Sequence, residues 1–132
     1  MAVTVTNTTI AALNTDQTLT ANAATSTGLG TTEVFTVTPT KKGSKMAFIF
    51  QSATTGIIPM TYSIAAGDLW AGAAITGTSG STAAGAATEV LQMDTAKVLQ
   101  DNGTILVTLN PGSTALALLA DHAAKFYALE LL

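Results

Sequence analysis

Short segments in which apolar and polar residues alternate constrain the fold of this chain more than any other feature of its sequence. Residues 3–6, 33–38 and 60–64 alternate in this way, and a period of two places the apolar side chains on one face of a strand. Residues 46–51 form instead a dense apolar run of strand length, which we expect in the centre of a sheet. These segments predict a mainly β protein.

Further segments of strand length lie towards the C-terminus, at residues 89–93, 96–99, 104–109 and 126–131. Asp101, Asn102 and Gly103 predict a tight turn, because an Asn-Gly pair tolerates the positive φ that such a turn needs. Residues 114–124 are ambiguous, since their Ala and Leu residues also favour a helix. We therefore expect a small antiparallel β-sandwich or barrel-like domain with an extended N-terminal arm and at most one short helix.

The connection between residues 33–38 and 46–51 predicts an antiparallel hairpin. Pro39 ends the first strand, and residues 41–45 form a charged turn that contains three of the five lysines. A solvated turn explains this lysine cluster better than a phosphate-binding patch. The aromatic residues of these strands, Phe35, Phe48 and Phe50, are expected in the core.

Two regions are poor in large apolar residues. Residues 1–32 are rich in Thr and predict an extended N-terminal arm, with residues 33–132 forming a single β-rich domain. As an arm, residues 1–9 would be dispensable for folding and would serve assembly. Residues 71–88 are almost entirely Gly, Ala, Ser and Thr, and predict a long loop that is either a contact loop or a mobile tip.

The composition explains how such a chain stays in solution and limits what it binds. It has 25 Thr and 24 Ala but only 13 charged residues and no Arg, whereas about a quarter of the residues are charged in most soluble domains. Hydroxyl groups must therefore supply much of the surface polarity. A net charge of −3 with five Lys argues against nucleic-acid binding. Residues 1–11 lack a positively charged start, so we expect no export signal, and Pro and Gly interrupt the long uncharged stretches, so we expect no membrane span.

No pattern of catalytic or metal-binding residues is visible. His122 follows Asp121 directly, and adjacent side chains on a strand point to opposite faces, which does not suit a hydrolytic triad. The eight acidic residues are scattered rather than grouped as in a calcium loop. The chain also has no Cys. We therefore expect a protein that is not an enzyme and that has no catalytic residues, no cofactor and no metal.

In these features the chain resembles the small capsid decoration (cement) proteins of tailed bacteriophages and related small virion proteins. The resemblance lies in a short, Cys-free, Thr/Ala/Gly-rich chain with a polar N-terminal segment, and in residues 103–112 leading to residues 126–131. It implies a homo-oligomer, with a trimer favoured, that is made in the host cytoplasm and seated on the outer surface of the virion. Its partner would be the lattice of the major capsid protein, whose neighbouring subunits it would clamp.

The candidate partner-binding residues are Val3, Thr4, Val5 and Thr6, which suit addition of a strand to a neighbour's sheet, and Trp70, a possible exposed anchor. Core packing is the competing interpretation for Trp70. Two other functions fit the same sequence. The first is a different assembly subunit, such as a tail-tube, tail-fibre or pilus-like protein. The second is a glycan-binding β-domain that uses Trp70 or Tyr62 as a stacking platform.

Overall fold

The strands form two sheets that pack face to face in a computed structural model, which describes residues 2–10, 16–25, 31–41, 45–52, 60–68, 72–79, 87–110 and 124–131. The first sheet contains, in spatial order, β1 (Ala2–Thr4), β4 (Glu33–Val37), β9 (Ile105–Asn110), β6 (Met60–Ile64) and β7 (Ile75–Ser79). The second contains β2 (Asn7–Ile10), β10 (Lys125–Leu131), β5 (Lys45–Ser52) and β8 (Ala87–Asp94), and β3 (Asn22–Ala23) also pairs with β10.

The predicted β-sandwich is confirmed, although its sheets are mixed rather than purely antiparallel. The pairs β1–β4 and β2–β10 are parallel, and the other strand pairs that the structure describes are antiparallel. A single short 3₁₀ helix, η1 (Thr95–Lys97), is the one helical element among the described residues. No helix in this part of the chain is long and apolar enough to cross a membrane.

Aromatic side chains join the two sheets. Phe35 of the first sheet lies against Phe126 of the second, with ring centroids 5.4 Å apart, and Phe50 stacks on Tyr62 across the same interface at 3.9 Å. Such aromatic pairs contribute about 0.5–1.5 kcal/mol beyond the area they bury. The predicted core positions of Phe35, Phe48 and Phe50 are confirmed, since all three side chains are fully buried.

The N-terminal residues form an extended stretch that passes from one sheet to the other. β1 pairs with β4 in the first sheet, and β2 pairs with β10 in the second. Between them, Val5 is buried in the core, and its N–H donates a hydrogen bond of 3.0 Å to the carbonyl oxygen of Thr36. The expectation of an arm outside the sandwich is therefore wrong for residues 2–10. Residues 2–10 are extended, but they belong to the sandwich because Val3 and Val5 pack into its core.

Hydrogen bonds also connect residues 16–25 to the sandwich. The N–H of Ala24 donates to the carbonyl oxygen of Ala124 at 3.0 Å. The backbone N–H and the hydroxyl of Thr25 both donate to the buried carboxylate of Glu33, each at 2.7 Å. Hydrogen bonds therefore join the described residues on either side of residue 32.

The predicted hairpin of residues 33–38 and 46–51 is wrong, because β4 and β5 lie in different sheets. β4 is flanked by β1 and β9, and β5 by β10 and β8. Just after β4, the backbone N–H groups of Thr40 and Lys41 donate to the carboxylate of Glu130 on β10, at 3.0 and 3.2 Å. These bonds direct the chain towards the second sheet, whereas a hairpin would return it along β4.

Two other local predictions differ from the structure. The strand expected at residues 96–99 is replaced by η1, because the Asp94 side chain accepts the N–H of Ala96 at 2.9 Å and caps a helical turn. The loop expected over residues 71–88 contains β7 and the first residues of β8. β7 forms because Ile75 pairs with Ile64 of β6 and supplies an apolar anchor to an otherwise small-residue segment. Residues 80–86 lie outside the described residues.

The remaining strand predictions are confirmed. Residues 46–51 lie in β5, an interior strand. Residues 105–109 of the predicted segment 104–109 lie in β9, and residues 126–131 lie in β10. The predicted turn is present, with Gly103 at φ +81° and the Asn102 side chain accepting the N–H of Thr104 at 3.0 Å. Residues 114–123 of the ambiguous segment lie outside the described residues.

Candidate functional site

The residues predicted to bind a partner lie in different environments. Thr4 and Thr6 are exposed, Val3 is partly buried against the core, and the Val5 side chain is buried. Val5 therefore offers no contact surface, because its side chain faces the other sheet. Contact through Thr4 and Thr6 stays a prediction, and Trp70 lies outside the described residues.

The opposite side of the sandwich carries a more extensive edge. β7 is the last strand of the first sheet and β8 the last strand of the second, and the two strands contact each other. β8 has eight residues, compared with five in β7, four in β2 and three in β1. It is therefore the longest of the four terminal strands in these sheets. Its edge that faces away from β5 presents backbone donors and acceptors to which another strand can bind.

The side chains of β8 differ between its two faces. Its register with β5 places Leu91 and Met93 on the inner face with Phe48 and Met46, so these residues close the core. Val90 and Gln92 lie on the outer face and are exposed, and Val90 is 64% exposed. Val is a β-branched residue that suits a strand, and β8 is a terminal strand of its sheet.

A small aromatic and acidic group lies at the inner rim of this edge. Tyr62 of β6 stacks on Phe50 with ring planes 6° apart, and Glu89 of β8 is in register with Phe50. Gly77 of β7 is in register with Tyr62, so no β7 side chain stands beside the tyrosine at that position. Burial raises the pKa of the Tyr62 phenol, and the negative charge of Glu89 raises it further. Glu89 itself is exposed.

This group gives limited support to glycan binding. A sugar stacks on the open face of an aromatic ring, and Phe50 covers one face of Tyr62. The exposed carboxylate of Glu89 suits hydrogen-bond donors or a cation, but the structure describes no nucleophile and base in contact at this edge. The chemistry offered here is backbone pairing along β8, with one acidic side chain at the rim.

The acidic residues that the structure describes form no metal site and serve the fold where they are buried. The described residues contain no group of three His, Cys, Asp or Glu side chains able to hold a metal ion. Asp121 and His122 lie outside the described residues. The buried carboxylates Glu33 and Glu130 accept hydrogen bonds from the chain's own backbone and hydroxyl groups, which is a structural use of charge.

Comparison with protein families, with curated proteins and with solved structures finds no match to this chain.

The β8 edge is the feature that the sequence did not identify. Residues 89–93 were expected to form a strand, but alternation does not indicate where a strand lies in its sheet. β8 carries the exposed polar residues Thr88, Glu89, Gln92 and Asp94, whereas the interior strand β5 carries polar residues only at its ends. The interior strand β6 also has polar residues in its middle, so polarity alone does not identify an edge strand.

Proposed function

We propose that this protein is a structural protein of a virion, which binds the outer surface of an assembled phage capsid and stabilises it by clamping neighbouring capsid subunits. The observation that carries the proposal is the combination of a hydroxyl-rich surface with a long edge strand. Thr is the most frequent residue among the exposed positions that the structure describes. Short neutral side chains cost less to desolvate than charged ones when a surface is covered by another protein.

The mechanism requires no chemical step. A protein that binds only the assembled lattice stabilises that lattice by the free energy of its own binding. Many copies with modest affinity oppose internal pressure together. A sheet edge supplies such affinity through backbone hydrogen bonds, which depend little on side-chain identity.

Binding to shells tests this function directly. Expanded, undecorated shells of the phage whose genome carries this sequence are mixed with the purified protein and separated from unbound protein by sedimentation. We expect the protein to sediment with the shells and to raise their disruption temperature in a thermal scan. Unexpanded shells of the same phage provide the control. Absence of binding to expanded shells would contradict the proposal, and filaments or rings of the protein alone in electron micrographs would favour a tail or pilus-like subunit.

A further inference from the structure

The edge of β8 that faces away from β5 lacks most of the features that keep a sheet edge from pairing. Natural edge strands are protected by charged residues, especially Lys, by Pro, by bulges or by shortness. β8 has neither Lys nor Pro among its eight residues, and its charged residues are Glu89 and Asp94. Its register with β5 runs without interruption from Lys45–Asp94 to Ser52–Ala87, so it contains no bulge. Within the part of the chain that the structure describes, β8 pairs with β5 alone, and Thr88, Glu89, Val90, Gln92 and Asp94 are exposed.

We infer that β8 pairs with β8 of a second copy of this chain, in antiparallel orientation about a two-fold axis at Leu91. The inference deepens the proposed function, on which its biological purpose rests, by naming the surface through which the protein forms an oligomer, and it makes that oligomer a dimer in place of the trimer that the resemblance implies. A two-fold contact uses the same patch on both copies, so the strand must be complementary to itself. The polarity and charge of β8 satisfy that condition in one register.

The faces of the strand restrict the possible registers. If the axis is perpendicular to the sheet, the inner faces of both copies lie on the same side, and directly opposed residues share a face. The axis therefore passes through a residue and not between two residues. Val90, Leu91 and Gln92 are the candidates near the middle of the strand.

The charges of Glu89 and Asp94 then distinguish these three positions of the two-fold axis. With the axis at Leu91, Glu89 lies opposite Met93, Thr88 opposite Asp94, and Val90 opposite Gln92, so no acid faces another. With the axis at Val90, the two Glu89 residues become diagonal neighbours on one face, about 7–8 Å apart, and repel each other. With the axis at Gln92, Glu89 lies beyond the end of the partner strand and the overlap is shorter. The Leu91 register gives the longest overlap without opposed charges.

The paired sheet also explains the exposure of Val90. In this register Val90 lies on the outer face between Ile49 of its own β5 and Gln92 of the second copy. A side chain that is 64% exposed in one chain is thereby enclosed on both sides. The joined sheets continue from one copy into the next through β8 and leave neither β8 with an open edge.

The oligomeric state of the full-length protein tests the inference. Sedimentation velocity across a concentration series should show a reversible monomer–dimer equilibrium. Val90→Glu should raise the dimer dissociation constant by about tenfold or more, because each new carboxylate lies diagonal, on one face, to the same residue and to Asp94 of the second copy. Val90→Thr is the matched control, since it keeps a β-branched side chain without charge. A monomer at all concentrations, a trimer, or a dimer that Val90→Glu leaves unchanged would overturn the inference.

Disulfide trapping tests the register and does not depend on the folding of the Val90→Glu variant. The chain has no Cys, so introduced thiols have no competitors. A mixture of Val90→Cys and Gln92→Cys proteins should form a covalent heterodimer on mild oxidation. Thr88→Cys alone should remain uncrosslinked, because the two Thr88 positions are separated by about six residues, or roughly 20 Å. Efficient crosslinking of Thr88→Cys to itself, or none between the Val90→Cys and Gln92→Cys proteins, would overturn the assigned pairing.

These results are separable from shell binding. A dimer that does not bind shells contradicts the proposed function and leaves the β8 contact intact. A monomer that binds shells contradicts the β8 contact and leaves the proposed function intact.

Discussion

The side chain of Asn22 pairs with the backbone of Thr6 as a neighbouring strand would. Its Oδ1 accepts the N–H of Thr6 at 2.9 Å, and its Nδ2 donates to the carbonyl oxygen of Thr6 at 3.3 Å. The same Nδ2 donates to the carbonyl oxygen of Phe126 on β10 at 3.1 Å. Thr6 lies where the chain leaves the first sheet for the second. Asn22 therefore satisfies backbone groups that neither sheet can pair at this crossing.

Replacement of Asn22 should destabilise the protein. We expect Asn22→Ala to lower the free energy of unfolding by about 1–3 kcal/mol, because backbone groups of Thr6 and Phe126 lose their partner in a buried setting. Urea denaturation followed by circular dichroism measures this change. Thr18→Ala, at an exposed position of the same segment, is the control and should change stability by less than about 0.5 kcal/mol. Equal stability of the two variants would contradict the role assigned to Asn22.

Glu130 likewise satisfies backbone groups with its side chain where the chain crosses from the first sheet to the second. Its fully buried carboxylate accepts hydrogen bonds from the N–H and hydroxyl of Thr40 and from the N–H of Lys41. Glu130→Gln places an amide donor among these donors, so we expect a loss of about 1.5–3 kcal/mol, the usual range for hydrogen bonds to a charged group. Asp16→Asn, which alters an exposed carboxyl group outside β7 and β8, is the control. A Glu130→Gln protein as stable as the control in urea would show that this contact does not set the path of the chain after β4.

These two contacts show what the sequence can and cannot predict. Alternation predicted most of the strands, because the pattern that places Phe35 or Val107 on one face of its strand is contained in the neighbouring residues. The pairing of the strands depends on groups far apart in the chain. Glu130 and Thr40 are separated by 90 residues, and Asn22 and Phe126 by 104. No local pattern contains such a contact, which is why a hairpin was predicted where the chain crosses between sheets.

The N-terminal segment illustrates the same limit. Its Thr residues predicted an extended backbone, and the backbone is extended. The alternation at residues 3–6 also predicted a strand, but it did not indicate that Val5 lies in the core between the two sheets. The candidate site was predicted less well than the fold, since an edge is a property of the whole sheet and not of the strand that forms it.

Gly67 should be among the least replaceable residues in the described chain. A Cβ at this position would lie 2.6 Å from the carbonyl oxygen of Leu99 and 2.8 Å from its nitrogen. The N–H of Gly67 also donates to the carbonyl oxygen of Lys97 at 2.9 Å, which fixes the close approach. Because the obstructing atoms are backbone, Gly67→Ala should cost about 1–3 kcal/mol of stability through overpacking.

Gly103 provides the matched comparison for Gly67. Nothing lies within 4 Å of a Cβ built at Gly103, and its φ of +81° is in the region that Asn tolerates better than other residues with a side chain. Thermal unfolding should therefore show a much smaller change for Gly103→Asn than for Gly67→Ala. The reverse order would contradict the steric account of Gly67.

The raised pKa of Tyr62 predicts a loss of stability at alkaline pH. Burial and the charge of Glu89 favour the neutral phenol in the folded protein, so the unfolded state releases its proton at a lower pH than the folded state does. The contribution of Tyr62 to stability is therefore complete below pH 10, the ordinary pKa of tyrosine, and is lost as pH rises through the pKa of the folded protein. The chain has two Tyr, so ultraviolet titration of a Tyr127→Phe variant isolates Tyr62. Glu89→Gln in that background should shift the titration to lower pH, since it removes one of the two causes of the shift. An unchanged titration would show that Glu89 does not face Tyr62 at the edge formed by β7 and β8.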